Sequence, residues 1–222
     1  MGDESTHADL KSCVLQRNRR CGVVAYEGAT VAAHACTAEG NGAAAYRARD
    51  RAVMSLVECT SKNDNSGLAV FGASAAAEAT HCQFEGSQTG AILVGAGGRA
   101  CATGCSILEC REGDGVDVTD LGSVVQLFEC SIASNKMCGA VAYDGGALEA
   151  FDCVATRNGK QSFKASLGGS VKTVRCQASQ DTSRDLAEQS SPDVAQVSPG
   201  KNESAQDDID AKYAAAMASR VF

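Results

Sequence analysis

The stretch VVQLFECSIASN, residues 124–135, belongs to a repeat, because its pattern recurs soon afterwards as LEAFDCVATRN, residues 148–158. In both stretches apolar and polar residues alternate up to a cysteine, and an asparagine follows five residues after it. Short alternation of this kind predicts a β-strand with one buried face. The two stretches therefore predict a repeat whose strands end at a polar turn.

The same unit extends over most of the chain. Eight cysteines follow one another at gaps of 23, 23, 23, 23, 25, 23 and 23 residues: Cys13, Cys36, Cys59, Cys82, Cys105, Cys130, Cys153 and Cys176. A fixed period of this size is typical of a solenoid. The residues three before and two after each cysteine are mostly apolar, which predicts a continuous core.

Each unit is built from strands rather than helices. Glycine and polar turn residues interrupt the units, as in CTSKNDNSG (59–67) and CREGDGVDV (110–118). No unit offers two uninterrupted helical segments, and the leucine framework of leucine-rich repeats is absent. Three short strands and three turns fit one unit, and successive coils would stack about 4.8 Å apart. The sequence predicts an all-β solenoid of about eight coils.

This pattern resembles the repeat of the right-handed parallel β-helix superfamily, which includes pectate-lyase-like and carbohydrate-binding-and-sugar-hydrolase proteins. The family's polar turn column corresponds here to Asn18, Asn41, Asp64, Ser87, Cys110, Asn135, Asn158 and Asp181. The resemblance implies a right-handed parallel β-helix over residues 9–181. It implies no single function, because the fold hosts enzymes, binding modules and inert scaffolds.

The regions outside the repeat differ in composition. We expect residues 1–8 to be a flexible N-terminus and residues 182–203, rich in Ser, Gln, Asp and Pro, to be a flexible linker. The spacing of apolar residues in 204–222 predicts an amphipathic helix that either caps the solenoid or docks on a partner. One helical face would carry Ile209, Tyr213, Met217 and Val221.

The cysteines suggest a reducing environment. Side chains stacked about 4.8 Å apart and pointing the same way do not suit disulfide geometry, whereas small thiols suit a narrow core. The other four cysteines form no CxxC pair, so we expect no metal and no cofactor. Together with a polar, acidic N-terminus unlike a signal peptide, this predicts the cytoplasm or another reducing compartment.

The charge and hydropathy patterns exclude two classes of partner. The formal net charge is -7, so no overall positive field would attract nucleic acid. No apolar run approaches membrane-spanning length, so we expect no membrane insertion. MGDEST fits the formal pattern for myristoylation of Gly2, although the acids at positions 3 and 4 argue against it.

GDGVDVTD, residues 113–120, contains the candidate acids. It resembles the polygalacturonase motif, in which Asp114 and Asp117 would occupy the acid positions. The further acid pair and the Gly-His-Gly that this family needs are missing at the corresponding coils. We therefore predict a solvated turn or strand edge. If the chain is an enzyme, its catalytic residues would be Asp114, Asp117 and Asp144.

Arginines concentrate in the first two repeats: Arg17, Arg19, Arg20, Arg47, Arg49 and Arg51. The last three alternate, so an extended chain would place them on one face. They predict either a solvated face or a docking patch for an acidic protein segment or a phosphate.

Three functions remain open from the sequence. The first is a non-catalytic structural scaffold or protein-interaction module that binds other proteins of a larger intracellular assembly. The second is a uronate lyase, a uronate hydrolase or a carbohydrate-binding module, which the fold resemblance and the acids suggest. The third is an anion-dependent binder that uses the arginine cluster. The oligomeric state stays open.

Overall fold

A computed structural model describes residues 6–179, and every regular element within them is a β-strand. The first seven coils hold three strands each and the eighth holds two. In coils 1 to 4 the strands are β1 (His7–Lys11), β2 (Val14–Gln16), β3 (Val23–Ala25), β4 (Thr30–His34), β5 (Thr37–Glu39), β6 (Ala44–Arg49), β7 (Val53–Val57), β8 (Thr60–Lys62), β9 (Ser66–Phe71), β10 (Ala76–Thr80), β11 (Gln83–Glu85) and β12 (Gly90–Gly95). In coils 5 to 8 they are β13 (Arg99–Thr103), β14 (Ser106–Leu108), β15 (Asp114–Val118), β16 (Val124–Phe128), β17 (Ser131–Ala133), β18 (Ala140–Ala142), β19 (Ala147–Phe151), β20 (Val154–Thr156), β21 (Phe163–Ala165), β22 (Ser170–Val174) and β23 (Gln177–Ser179).

Strands of successive coils pair in parallel and form three sheets. Sheet A contains the first strand of each coil, from β1 to β22; sheet B contains the second, from β2 to β23; sheet C contains the third, from β3 to β21. The steps in sheet A follow the period of the cysteines, so that Leu56 pairs with Ala33 below it and Ala79 above it. The predicted all-β parallel solenoid of about eight coils is confirmed.

The solenoid starts slightly earlier than predicted. Its first strand begins at His7, and Ala8 pairs with Val31 of the next coil, so the prediction of a flexible N-terminus was wrong for residues 7 and 8. The last strand ends at Ser179. The predicted linker 182–203 and helix 204–222 lie outside the described residues, as do the side chains proposed for the cap: Ile209, Tyr213, Met217 and Val221.

The two additional residues between Cys105 and Cys130 lie in turns. In sheet C Val94 pairs with Val118, and in sheet A Arg99 pairs with Val124, so both steps exceed the usual spacing of the cysteines. One additional residue lies in the turn before β15, and another lies in the turn before β16. The strands keep their alternation, so the core columns continue through coil 5.

A column of small thiols lines part of the core. Cys36, Cys59, Cys82, Cys105, Cys130 and Cys153 are all buried. The Cys105 sulfur lies 3.4 Å from the backbone oxygens of both Thr103 and Ala79, and its neighbours in the column make similar contacts. These weak donors are therefore satisfied by backbone carbonyls. At the two ends of the column Cys13 and Cys176 are only partly buried.

A ladder of polar side chains fills the turn between sheets B and C. The Asn135 Oδ1 accepts a hydrogen bond from the Cys110 backbone N–H at 3.0 Å, and its Nδ2 donates to the Asn158 Oδ1 at 2.9 Å and the Ile107 carbonyl at 3.4 Å. Asn18, Asn41 and Asp64 make an equivalent chain of bonds at the other end. Within the described residues the predicted column thus forms hydrogen bonds across coils 1 to 3 and across coils 5 to 7.

The ladder is interrupted in its middle. Ser87 and Cys110 occupy the column where the other coils carry an amide or a carboxylate. The buried Ser87 hydroxyl has no hydrogen-bond partner among the described residues. The two halves of the ladder are thus separate hydrogen-bonded stacks, each of which ties three coils together.

We expect Asn135→Ala to lower the free energy of unfolding by about 2 to 3 kcal/mol, because it leaves buried donors and acceptors of coils 5 to 7 unsatisfied. Asn18→Ala is the matched control, since it removes the same side chain from the same column at an exposed end. Water can replace its bonds, so we expect a loss below about 1 kcal/mol. Urea denaturation followed by circular dichroism measures both. Equal losses would show that the ladder does not stabilise the core.

Candidate functional site

The outer face of sheet C carries candidate residues of two kinds, arginines and aspartates. Inward positions of its strands hold Tyr46, Leu68, Ile92 and Val116, which are fully buried. The alternate, outward positions form one column through the paired residues Val24, Arg47, Ala69, Leu93, Asp117, Val141 and Lys164. Arg47 and Asp117 are three coils apart in this column, or about 14 Å.

Arg47 is held against an aromatic ring. Its guanidinium carbon lies 5.8 Å from the centre of the Phe71 ring, a cation–π geometry. The Phe71 ring in turn lies across Gly95, where a Cβ atom would approach the ring to 2.8 Å. Glycine at this position therefore lets the ring lie flat on the sheet. The buried Nε of Arg47 has no hydrogen-bond partner in the part of the chain that the structure describes.

Apolar and aromatic side chains extend this surface toward coil 1. Val24 pairs with Arg47 and is 42% exposed, and Tyr26 is 55% exposed. Arg49 is exposed and binds the Asp50 carboxylate through its Nε at 2.6 Å. We call the set Val24, Tyr26, Arg47, Arg49 and Phe71 the Arg–aromatic patch.

The remaining arginines do not join the patch. Arg17, Arg19 and Arg20 lie in the exposed turn that precedes β3. Arg51 lies in the turn that follows β6 and has a φ of 68°, so the prediction that it shares a face with Arg47 and Arg49 was wrong. The strand ends at Arg49, and the alternation ends with it. The six arginines are therefore divided between opposite ends of the sheet C strands.

Asp114 and Asp117 form a carboxyl pair within β15. Burial, with the Asp114 charge and a hydrogen bond to Asp114 as further causes, raises the pKa of Asp117 to about 8. Asp117 therefore holds a proton at neutral pH and shares it with Asp114, which also accepts the Cys138 backbone N–H. Of the predicted solvated turn or strand edge, the turn was wrong for these two residues, because Asp114 begins β15 and Asp117 lies within it.

Asp144 lies one coil further on, in the turn after β18, and is exposed. Asp144 and the carboxyl pair both act on the pKa of Tyr143. Burial first, and then the charges of Asp117, Asp114 and Asp144, raises the pKa of the Tyr143 hydroxyl. All three predicted aspartates thus act on the pKa of one tyrosine, and Asp114 also acts on the pKa of Asp117.

Two buried thiols, Cys36 and Cys110, differ from reactive cysteines. Burial raises the pKa of Cys36 and raises that of Cys110 to about 12, which keeps both protonated at neutral pH. Protonated buried thiols are poor nucleophiles and poor metal ligands. No group of three or more His, Cys, Asp or Glu side chains between residues 6 and 179 is arranged to hold a metal ion. Across the same residues, no helix has the length and apolar composition that a membrane crossing requires.

Three members of the Arg–aromatic patch were not among the predicted site residues: Val24, Tyr26 and Phe71. Val24 lies one coil before Arg47 at the usual spacing and could have been found by extending the column. Phe71 pairs with Arg49 across a step one residue shorter than the cysteine period, which a fixed period does not reveal.

Comparison with known proteins identifies the family. The family model described as right handed beta helix region matches residues 1–178. The chain belongs to the right-handed β-helix family. Neither the curated proteins nor the solved structures gave a match. Membership fixes the fold of this β-helix chain and leaves its function to be argued from its surfaces.

The carboxyl pair predicts a specific dependence of stability on pH. The unfolded chain releases the Asp117 proton near pH 4, whereas the folded chain keeps it up to about pH 8, so stability falls as pH rises between these values. Asp117→Asn removes this penalty while its amide still donates to Asp114. We expect its Tm to exceed that of the wild type by at least about 5 °C at pH 8 and to match it at pH 4.

Asp144→Asn is the control for this measurement, because it removes an exposed carboxylate from the next coil. Thermal unfolding should show no such pH-dependent difference for this variant. An Asp117→Asn variant whose advantage is the same at pH 4 and pH 8 would contradict the shared proton.

Proposed function

We propose that this β-helix chain is a non-catalytic protein-interaction module that acts as a scaffold within a larger assembly, with the Arg–aromatic patch as its binding surface. The observation that carries the proposal is the exposure of Val24 and Tyr26 beside two arginines on a regular sheet face. Protein interfaces are enriched in aromatic residues and arginine, and their binding energy concentrates on such residues.

The patch supports a partner segment that carries carboxylate or phosphate groups. Guanidinium groups present a planar set of donors that matches both anions, and Arg47 and the exposed Arg49 alternate on β6. Packing of Arg47 on Phe71 reduces the conformational freedom that the side chain would lose on binding. An acidic segment with an apolar neighbour would contact the arginines and Val24 together.

We further propose that the protein works in a reducing compartment such as the cytoplasm. The thiol column supports this location, because its eight cysteines are thiols and six of them are buried in the core. An oxidising compartment would favour disulfides between neighbouring coils, whose geometry the stack does not suit.

The proposal is tested by identifying the partner and then measuring its affinity. Affinity purification of the full chain from cell extract, followed by mass spectrometry, gives the partner; titration calorimetry with the purified partner gives Kd. We expect Tyr26→Ala and Arg49→Glu each to weaken binding at least tenfold, because both side chains are exposed members of the patch. Arg99→Glu, an exposed arginine on sheet A, should leave the affinity unchanged.

The salt dependence of the partner affinity distinguishes an interaction module from a purely anion-dependent binder. A contact made by the arginines alone would lose affinity steeply as salt rises, whereas apolar contacts of Val24 and Tyr26 would retain it. Unchanged binding by both patch variants would overturn the proposed surface.

The carboxyl pair favours a second candidate, an enzyme acting on uronate polymers. Asp117 keeps a proton at neutral pH, as a general acid must, and Asp114 and Asp144 supply further carboxylates around Tyr143. Asp114 and Asp117 are three positions apart in one strand and interact directly, whereas the carboxylates of retaining or inverting glycosidases are separated by at least about 5 Å, which favours the non-catalytic proposal.

An assay decides between these candidates. Polygalacturonate and related uronate polymers are incubated with the full chain, and reducing ends and unsaturated products are measured. Activity that Asp117→Asn abolishes, and that Asp120→Asn retains, would establish the enzyme. We expect no turnover by the wild type.

A further inference from the structure

The two ends of the solenoid present complementary strand edges. Within residues 6–179, β1 and β2 are the terminal strands of sheets A and B at one end, and β22 and β23 are terminal at the other. The opposing edges have equal lengths, five residues in sheet A and three in sheet B. An unpaired edge of this kind is a template for another strand.

The backbone groups at these edges also match. The Ser170 N–H donates to the Gly146 carbonyl and the Val174 carbonyl accepts the Asp152 N–H, so Val171 and Thr173 direct their N–H and C=O groups to the open side. At the other end the Ser12 N–H donates to the His34 carbonyl. By the same alternation, three residues of β1 face away from coil 2: His7, Asp9 and Lys11.

This alternation is the one found at every internal boundary of sheet A. Thr30, which pairs with His7, directs its N–H to coil 1 and donates to the Thr6 carbonyl. His7 of a second molecule could therefore take the place of Thr30 above β22, with Ala8 opposite Val171. The internal register of the solenoid would continue across the junction.

The side chains at the two ends leave the same core columns incomplete. Leu10, Cys13 and Leu15 are partly buried at one end, and Val171 and Cys176 are partly buried at the other, although these columns are buried in the middle coils. On the outer face, Lys172 already lies 3.9 Å from Glu149 of the coil below. The corresponding residue of coil 1 is Asp9, so an end-to-end contact would continue this column with a second opposite charge.

We propose that a second copy of this chain binds end to end, with β1 and β2 of one copy pairing with β22 and β23 of the other. This association is independent of the Arg–aromatic patch. It is heterologous, so it can extend beyond a dimer into a linear assembly of stacked solenoids. Residues 180–222 continue the chain from Ser179 at the same edge, and their occupation of that edge is the alternative outcome.

The full chain is measured by sedimentation velocity and small-angle X-ray scattering at about 1 to 200 µM. This range spans weak association with a Kd of about micromolar. We expect the mass to rise with concentration while the cross-section stays constant and the length grows in steps of about 38 Å. Asp9→Lys should weaken association at least tenfold, because it places a second positive charge against Lys172.

Glu78→Lys is the matched control, since Glu78 lies in the same outer column in coil 4 and the substitution changes the charge equally. It should leave the association unchanged. Equal melting temperatures of the two variants would show that both are folded. A monomer at every concentration, which would mean that the rest of the chain covers the edge, overturns the proposal. Growth of the cross-section, or equal effects of the two variants, does so as well.

Discussion

Parallel pairing between successive coils is the constraint on which the rest of this structure depends. A single coil has three strands of three to six residues and no sheet of its own, so its backbone groups are satisfied only by the coils below and above it. Its inward side chains are likewise buried only when the neighbours are present. The register of this pairing decides which residues enter the core, because a slip by one position would reverse the two faces.

The thiol column and the polar ladder are consequences of that register. Both occur where the same position of every coil points the same way, so that a side chain can contact its equivalent one coil away. The Asn135 amide joins coils through its bonds to Cys110 and Asn158, and the stacked sulfur atoms are buried in the core. The interruption at Ser87 shows that the backbone pairing tolerates the local loss of the ladder.

The sequence predicted the coils because their chemistry recurs in sheets A and B at a nearly constant step. It did not predict the surroundings of Asp117, because sheet C departs from that step. Arg47 pairs with Ala69 one position short of the cysteine period, and Leu93 pairs with Asp117 one position beyond it. Turns of variable length cause these offsets, and a fixed period cannot follow them. Asp117 is flanked by Leu93 and Val141, and these neighbours follow only from the register of sheet C. The position of Arg51 was also not predictable from the period, because it depends on the end of β6 at Arg49.

Sheet C is consequently the face on which this solenoid is least uniform. It carries a cationic and aromatic surface in its first coils and, about 14 Å from Arg47, a carboxyl pair in which the pKa of Asp117 is raised. The regular core holds both in fixed positions, as a binding surface requires. Nuclear Overhauser contacts between methyl groups test the parallel register of the coils. We expect contacts from Leu56 to Ala33 and to Ala79. Contacts of Leu56 confined to residues three and four positions away, with none to these alanines, would contradict it.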